Sequence, residues 1–185
     1  MNKKVTREAF LKGMEHLNRH GINTFAAFVI GFPGETAETI NDDIQFLKEC
    51  SIDFYSTKEF YYMEHAAIHK ERNKHGLIGL GSKWKHDTMD SRTAAAMKVH
   101  MFKEIKDSIF IDPDISLWYL AYLYDQGFSM SEVKSLQRVI NDMMMAEING
   151  DFGNKGPHID KLRRILGVSR AVAAPAGEQR ISVPL

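Results

Sequence analysis

The chain has 185 residues, 44% of them hydrophobic, with 24 basic and 24 acidic side chains and a formal net charge of zero. A chain of this length and hydrophobic content can bury the core of one globular domain. Because basic side chains are not in excess, nucleic-acid binding through phosphate neutralisation is disfavoured. The absence of an apolar run of roughly 18–20 residues argues against a membrane span, and a charged N-terminus with a single cysteine, Cys50, favours a cytoplasmic protein without disulfides.

The N-terminal residues have the pattern of a helix followed by a buried strand. Apolar side chains recur at spacings of three and four over residues 6–19, with Thr6 in the position of an N-cap and Gly21 as the residue that ends the helix. Residues 23–31 are almost continuously apolar. Such a run is typical of a strand covered on both faces in a parallel α/β sheet.

A second helix and a second strand follow. Thr36 is the candidate N-cap of this helix, whose apolar stripe consists of Ile40, Ile44 and Leu47. A further strand is expected at residues 54–62. Helix–strand–helix–strand in this order predicts an α/β fold, either a barrel or an open sheet.

After residue 65 the pattern changes, first to polar turns and then to helices. Helices are predicted at residues 88–107, 113–126, 130–149 and 157–167, the last of them stopped by Gly167. Their candidate caps are Asp87, Asp112 before a proline, and Ser129 with Glu132 at the spacing of a capping box.

These elements predict three parts. Residues 1–65 form an α/β part, residues 66–170 a mostly helical region, and residues 171–185 a disordered tail. Only two strands are predicted, and two parallel strands with their helices cannot cover both faces of a sheet or satisfy its edges. The missing strands are expected upstream, so the chain is interpreted as a piece of a longer protein.

The turn after the first strand, residues 31–36, is the most specific local feature. Gly31 and Gly34 allow close approach of a ligand to the backbone, and Pro33 fixes the turn. The turn follows the carboxyl end of a strand, where α/β sheets and barrels bind their ligands. Taken alone, a Gly-Phe-Pro-Gly turn is a tight connection between a strand and a helix more often than it is a binding site.

Residues 1–47 resemble the later part of the radical S-adenosylmethionine (SAM) core. The residues that carry the resemblance are Met1-Asn2-Lys3, Gly21-Ile22, the apolar strand to Ile30, and the sequence Gly-Phe-Pro-Gly-Glu-Thr at residues 31–36. The family's Gly-x-Ile-x-Gly-x-x-Glu pattern is half kept: Ile30 and Glu35 match it, whereas Phe28 and Phe32 replace its glycines. The resemblance implies the C-terminal part of a partial (β/α)6 barrel and SAM contacts at Ile30, Gly31, Phe32, Pro33, Gly34 and Glu35, with Glu35 supporting the turn.

The second half is similar to the cobalamin-dependent methyltransferase branch of the same superfamily, which includes phosphinate P-methyltransferases. The matching residues are Phe60-Tyr61-Tyr62, Lys70-Glu71-Arg72, Gly76-Leu77, residues 84–90, Trp118, Tyr122-Leu123 and Gly127-Phe128-Ser129. The resemblance covers residues 1–145. It implies methyl transfer to an unactivated carbon or a phosphinate, a small-molecule or carrier-bound substrate, and a reductant protein.

The cluster of that family needs three cysteine thiolates in a Cys-x3-Cys-x2-Cys loop, and Cys50 is alone. No cobalamin-binding domain is visible in the sequence either. The [4Fe-4S] cluster and cobalamin are therefore expected in the full-length protein, and this chain by itself is expected to hold no metal and to be inactive.

Further candidates come from the middle of the chain. Glu59, Tyr61 and Tyr62 belong to the second predicted strand, and those of one parity are expected to face a barrel interior. Trp84 and His86 either face the substrate or belong to a packed loop in which Asp87 caps the next helix. His65 and His69 have a spacing used for zinc, but a polar surface or substrate-pocket role is favoured because no third ligand stands out.

The resemblance implies that one SAM is cleaved to a 5′-deoxyadenosyl radical, which abstracts a substrate hydrogen before methylcobalamin delivers a methyl group. Two alternatives stay open. The superfamily also performs cyclisation, oxidation and sulfur insertion. The second alternative is a non-enzymatic role, in which the helices after residue 87 dock a partner.

Overall fold

A computed structural model describes residues 5–114, 116–151, 153 and 155–172. The chain divides into two compact units, Met1–Asp114 and Ile115–Leu185, and each is described by itself. Residue 65, the predicted end of the α/β part, lies inside the first unit. Met1-Asn2-Lys3 lie outside the described residues, as does the predicted disordered tail from residue 173 onward.

The first unit is a mixed α/β structure. In chain order it contains α1 (Arg7–Arg19), β1 (Phe25–Ile30), α2 (Ala37–Cys50), β2 (Phe54–Glu59), a 3-10 helix (Ala67–His75), β3 (Ile78–Leu80), β4 (Lys83–His86), β5 (Met89–Asp90), α3 (Ser91–Glu104) and β6 (Ile109–Phe110). The α/β class is confirmed, whereas the partial (β/α)6 barrel stays a prediction.

The main sheet is parallel, with β2 between β1 and β6. Phe25 lies beside Phe54 and Ile30 beside Glu59 in the β1–β2 register, and Tyr55 lies beside Phe110 on the other side of β2. Because all three strands are parallel, their carboxyl ends lie at the same end of the sheet.

The helices α2 and α3 pack on one face of this sheet. On α3, Phe102 contacts Phe110 with ring centroids 5.2 Å apart, and Lys98 lies 3.5 Å from a Glu59 oxygen. On the opposite face of β1 the side chain of Val29 is 53% exposed. Phe54 and Ser56 of β2 lie on the same face as Val29 and are buried, so this face is open mainly along β1. The prediction that both faces of the first strand are covered is therefore wrong for the described residues.

Local signals placed the first helices correctly. The Thr6 side chain accepts the Ala9 N–H at the start of α1, and Gly21 follows its end with a φ of 67°. Thr36 and Thr39 form a reciprocal capping box at the start of α2. The predicted stripe on α2 is buried, together with Cys50, which is 2% exposed.

The stretch after residue 76 differs from the prediction. β3, β4 and β5 form an antiparallel meander inside the region predicted to be mostly helical, and β6 adds a third parallel strand. The prediction of only two strands is thus wrong. The cause is their length, since strands of two to four residues have too few positions to show a period.

Two predicted caps are also wrong. Asp90, not Asp87, caps α3 by accepting the Thr93 N–H at 2.8 Å, so the helix begins three residues later than predicted. Asp112 accepts the Asp114 N–H at 2.9 Å within a turn before the next helix begins. The error at Asp112 arises because an aspartate accepts a local backbone N–H equally well in a turn or at a cap.

The second unit contains three helices within the described residues: α4 (Ser116–Asp125), α5 (Met130–Ile148) and α6 (Lys155–Val172). The capping box predicted for Ser129 and Glu132 is present, and α5 packs against both of the other helices. The helix α6 continues through Gly167, where the sequence predicted its end. None of the described helices combines the length and the apolar character needed to cross a bilayer.

Candidate functional site

The turn at the carboxyl end of β1 closes on itself. Gly31 and Gly34 have φ values of 86° and 99°, which only glycine adopts without strain. The Glu35 N–H donates to the Phe32 carbonyl at 2.9 Å, and the Glu35 carboxylate accepts the Gly31 N–H. Glu35 thus ties the two ends of the turn together.

Burial raises the pKa of the Glu35 carboxyl above its usual value, and the negative charge of Asp43 acts in the same direction. The hydrogen bonds from Gly31 and Phe32 lower the pKa but offset only part of the effect of burial. The folded state therefore holds a proton at Glu35 more tightly than the unfolded chain does, and ionisation of this group weakens the fold.

Because the folded-state pKa is raised, the contribution of Glu35 to stability is complete below the unfolded value of about 4.5 and is lost as pH rises through the folded value. We expect Glu35→Gln to remove this part of the pH dependence, since the amide oxygen still accepts the Gly31 N–H without carrying a charge. The measurement is the urea midpoint of both proteins from pH 4 to 8. Burial raises the pKa of Asp43 as well, so the pH dependence that remains in Glu35→Gln reports Asp43 and the other titratable groups.

The matched variant Glu35→Ala removes the acceptor as well as the charge. It is expected to be destabilised by about 1–2 kcal/mol at pH 7 relative to Glu35→Gln, because the Gly31 N–H loses its partner. Equal midpoints for the two variants at every pH would show that the hydrogen bond to Gly31 contributes nothing.

Trp84 fills the space behind the turn. A Cβ atom on Gly31 would overlap two ring carbons of Trp84, one of them at 2.8 Å, and would approach the Cβ of Ala94 to 2.9 Å. The indole N–H donates to the Phe60 carbonyl at 2.6 Å, and the Trp84 side chain is 3% exposed. Glycine is therefore required at position 31 both for its φ and for the ring behind it.

His86 ties the same turn to β4. Its Nε2 lies 3.1 Å from the Gly31 carbonyl, and its Nδ1 lies 3.1 Å from the Thr88 hydroxyl and 3.4 Å from the Thr88 N–H. A backbone N–H can only donate, so Nδ1 accepts and the proton resides on Nε2, which donates to Gly31. The imidazole is 2% exposed and stacks on Trp84 at 5.1 Å.

Of the two alternatives that the sequence left open for Trp84 and His86, the packed arrangement describes their surroundings. Both rings alternate with Lys83 and Lys85 along β4 and lie on its buried face. They position the Gly31 turn from behind. Phe60, absent from the candidate residues, completes the ring cluster at 5.4 Å from both Phe32 and Trp84, and its position directly after β2 was the available signal.

The exposed part of the site is aromatic. Phe32 is 47% exposed and Tyr61 is 61% exposed, whereas Ile30 is fully buried and its carbonyl already accepts the Phe60 N–H at 2.7 Å. Glu59 is engaged with Lys98 on α3. A ligand above the carboxyl end of β1 would therefore meet ring faces and the backbone at Gly34, since Gly31 is buried.

Tyr62 stacks on Phe60 with ring centroids 6.2 Å apart and extends the ring cluster to His69. The Tyr62 hydroxyl lies 2.8 Å from Nδ1 of His69, and Tyr62 is 3% exposed. His65 precedes the 3-10 helix, whose turns have three residues, so the spacing of four does not put it on one face with His69. Among the described residues no group of three histidine, cysteine or acidic side chains is placed to hold a metal ion.

The ionisable side chains at the turn, Glu35 and His86, are both engaged with the Gly31 backbone, so the turn presents mainly its shape and the Phe32 ring to a ligand. An exposed ring beside a glycine turn has the shape and polarity suited to a planar, apolar group. No protein-family model, curated protein or solved structure matches this chain.

Proposed function

We propose that this chain supplies one wall of the SAM and substrate site of a radical SAM enzyme that performs cobalamin-dependent methyl transfer. The observation that carries the proposal is the Gly31–Gly34 turn, which is braced from behind by Trp84 and His86 and exposes Phe32 at the carboxyl end of a parallel strand. Ligands of parallel α/β folds bind at this end of the strands.

The sheet supports the proposal in a second way. The face opposite α2 and α3 exposes Ala27, Val29 and Lys58, and the outer edge of β1 pairs with no strand among the described residues. In a β/α barrel the face without helices is the interior, and each strand edge pairs with a neighbour. The exposed face and free edge are what a partial barrel presents to the strands that complete it.

The residues fit the adenine of SAM and do not fit the metal cofactors. The exposed ring of Phe32 can stack on adenine, and the exposed Gly34 leaves the backbone of the turn accessible at that position. A cluster needs three thiolates, whereas Cys50 is single and buried on α2. The proposal therefore assigns the [4Fe-4S] cluster and cobalamin to other parts of a longer protein.

The test uses the product of the complete reading frame that contains this sequence, reconstituted with iron, sulfide, methylcobalamin and SAM under reducing conditions. We expect 5′-deoxyadenosine and S-adenosylhomocysteine among the products. Phe32→Ala is expected to raise the KM for SAM about three- to tenfold through loss of stacking. The matched control is Tyr122→Ala, an aromatic residue with 59% exposure in the second unit.

The outcomes separate the alternatives. Formation of 5′-deoxyadenosine without S-adenosylhomocysteine would favour cyclisation, oxidation or sulfur insertion within the same superfamily. Absence of both products would contradict the proposal. An equal rise in KM for Phe32→Ala and Tyr122→Ala would remove the assignment of Phe32 to the SAM wall.

A docking role is the second candidate function, favoured by the aromatic surface of α4. Trp118, Tyr122 and Tyr124 are 83%, 59% and 65% exposed. Aromatic side chains are enriched in protein interfaces. If docking is the only function, the complete protein gives no SAM-derived products under any of the conditions above.

A further inference from the structure

A groove of about 380 Å³ opens on the outer side of the antiparallel meander, beside the start of α3. Its lining residues are Ile78, Gly79, Lys83, Trp84, Lys85, Asp90, Ser91 and Arg92. The groove contains none of the residues of the Gly31 turn. Its volume lies within the range of sites for small organic molecules.

The charge of the groove is positive. Burial along β4 alternates, so that Trp84 and His86 face inward while Lys83 and Lys85 are exposed on the outer face. Arg92 is also exposed. No ion pair within 4.0 Å joins any of these three cations to an acidic side chain in the described part of the chain.

Asp90 is the acidic residue of the groove, and it is already engaged. Its carboxylate accepts the Thr93 N–H at 2.8 Å as the cap of α3. Lys85 and Asp90 are cross-strand neighbours in the meander. Three cations beside one carboxylate leave two positive charges on the groove, which favours an occupant with two negative charges.

The groove also has an apolar side. Ile78 is 63% exposed, and Gly79 beside it has no side chain to screen the strand backbone. A Cβ atom at Gly79 would overlap the Lys83 carbonyl carbon and oxygen, so the close approach of β3 and β4 at this point requires glycine. An occupant that combines an anionic group with an apolar body would match both sides.

We propose that this groove binds a phosphate monoester of a small organic molecule, with Lys83, Lys85 and Arg92 on the phosphate and Ile78 against the organic part. A phosphate monoester carries about −1.5 to −2 charges at pH 7, which matches the charge of the groove. Arginine and lysine are the side chains that bind phosphate in proteins, arginine through paired N–H groups. The site does not depend on the SAM chemistry proposed above.

The test titrates the whole 185-residue chain with phenyl phosphate at low ionic strength and follows backbone amide shifts by NMR. We expect saturable shifts at residues 78–92 and a Kd of about 0.1–10 mM. Lys85→Ala and Arg92→Ala are each expected to weaken binding about three- to tenfold. The control Lys12→Ala, an exposed lysine on α1, is expected to leave the Kd unchanged.

Two further probes separate the parts of the site. Inorganic phosphate tests the anionic part alone and is expected to bind more weakly than phenyl phosphate, and neutral phenol is expected not to bind. The proposal is overturned by shifts that do not saturate, by shifts centred outside residues 78–92, or by equal weakening in Lys12→Ala and Lys85→Ala. Binding of phenol as tight as that of phenyl phosphate would overturn it as well.

Discussion

Replacing Gly31 with alanine is expected to lower the free energy of unfolding by about 3–5 kcal/mol. The φ of 86° strains any residue with a Cβ, and the added carbon overlaps the Trp84 ring. Neither neighbour can move away easily, because the indole donates to the Phe60 carbonyl and the third contact, Ala94, is a fully buried residue of α3. Urea unfolding followed by circular dichroism measures the change.

Gly34→Ala is the matched control. Gly34 has a φ of 99°, and a Cβ atom there meets nothing within 4 Å. Gly34→Ala is therefore expected to lower the free energy of unfolding by about 1–3 kcal/mol, through backbone strain alone. The difference between the two variants isolates the overlap with Trp84. Equal destabilisation of Gly31→Ala and Gly34→Ala would mean that the indole does not pack behind the turn.

The Gly31→Ala substitution is also expected to affect the proposed SAM wall. A Gly31→Ala protein that still folds must displace the turn, because the ring behind it is fixed by a buried hydrogen bond. Phe32, the exposed residue of the turn, would move with it. If the turn forms the proposed SAM wall, we therefore expect Gly31→Ala to weaken SAM binding at least as much as Phe32→Ala.

The part of the fold that the sequence predicted correctly depends on contacts within a few residues. Thr36 caps α2 through Thr39, and Ser129 caps α5 through Glu132. Each of these pairs is three residues apart, so residue type and spacing are sufficient to identify it. The α/β class follows from the same local patterns once helices and strands alternate.

The part that the sequence did not predict depends on distant partners. The meander is stabilised by pairing between strands that are too short to show a period. In the main sheet β6 pairs with β2, from which it is separated by about fifty residues along the chain. The covering of β1 is also non-local. An apolar strand has the same sequence pattern whether one of its faces or both are packed. The exposure of the Val29 side chain shows that one face of β1 is open.

The candidate site likewise has a part that the local sequence predicted and a part that depends on distant partners. The glycines of the turn and the exposed ring of Phe32 were candidates because they are contiguous in sequence. The role of His86 was not predictable, because its partner, the Gly31 carbonyl, is 55 residues away. Phe60 follows β2 directly, which was a signal of its position, but the Trp84 N–H that its carbonyl accepts comes from 24 residues further along the chain and no local spacing indicates it.

Trp84→Ala is expected to be the other severe substitution, with a loss of about 3–5 kcal/mol in the free energy of unfolding. The ring is 3% exposed, stacks on His86 at 5.1 Å and contacts Phe60 edge to face at 5.4 Å. Its removal leaves a cavity between β4 and the Gly31 turn and deprives the Phe60 carbonyl of its donor. Trp84→Phe restores part of the volume but not the N–H, so its loss is expected to be intermediate.

The second tryptophan provides the control. Trp118 is 83% exposed on α4, and Trp118→Ala is expected to change the free energy of unfolding by no more than about 0.5 kcal/mol. Fluorescence of the single-tryptophan variants gives an independent measurement: Trp84 is expected to emit at shorter wavelength and to resist quenching by acrylamide, whereas Trp118 is quenched readily. Equal quenching of the two residues, together with equal stability losses, would contradict the burial of Trp84 behind the turn and with it the bracing of Gly31.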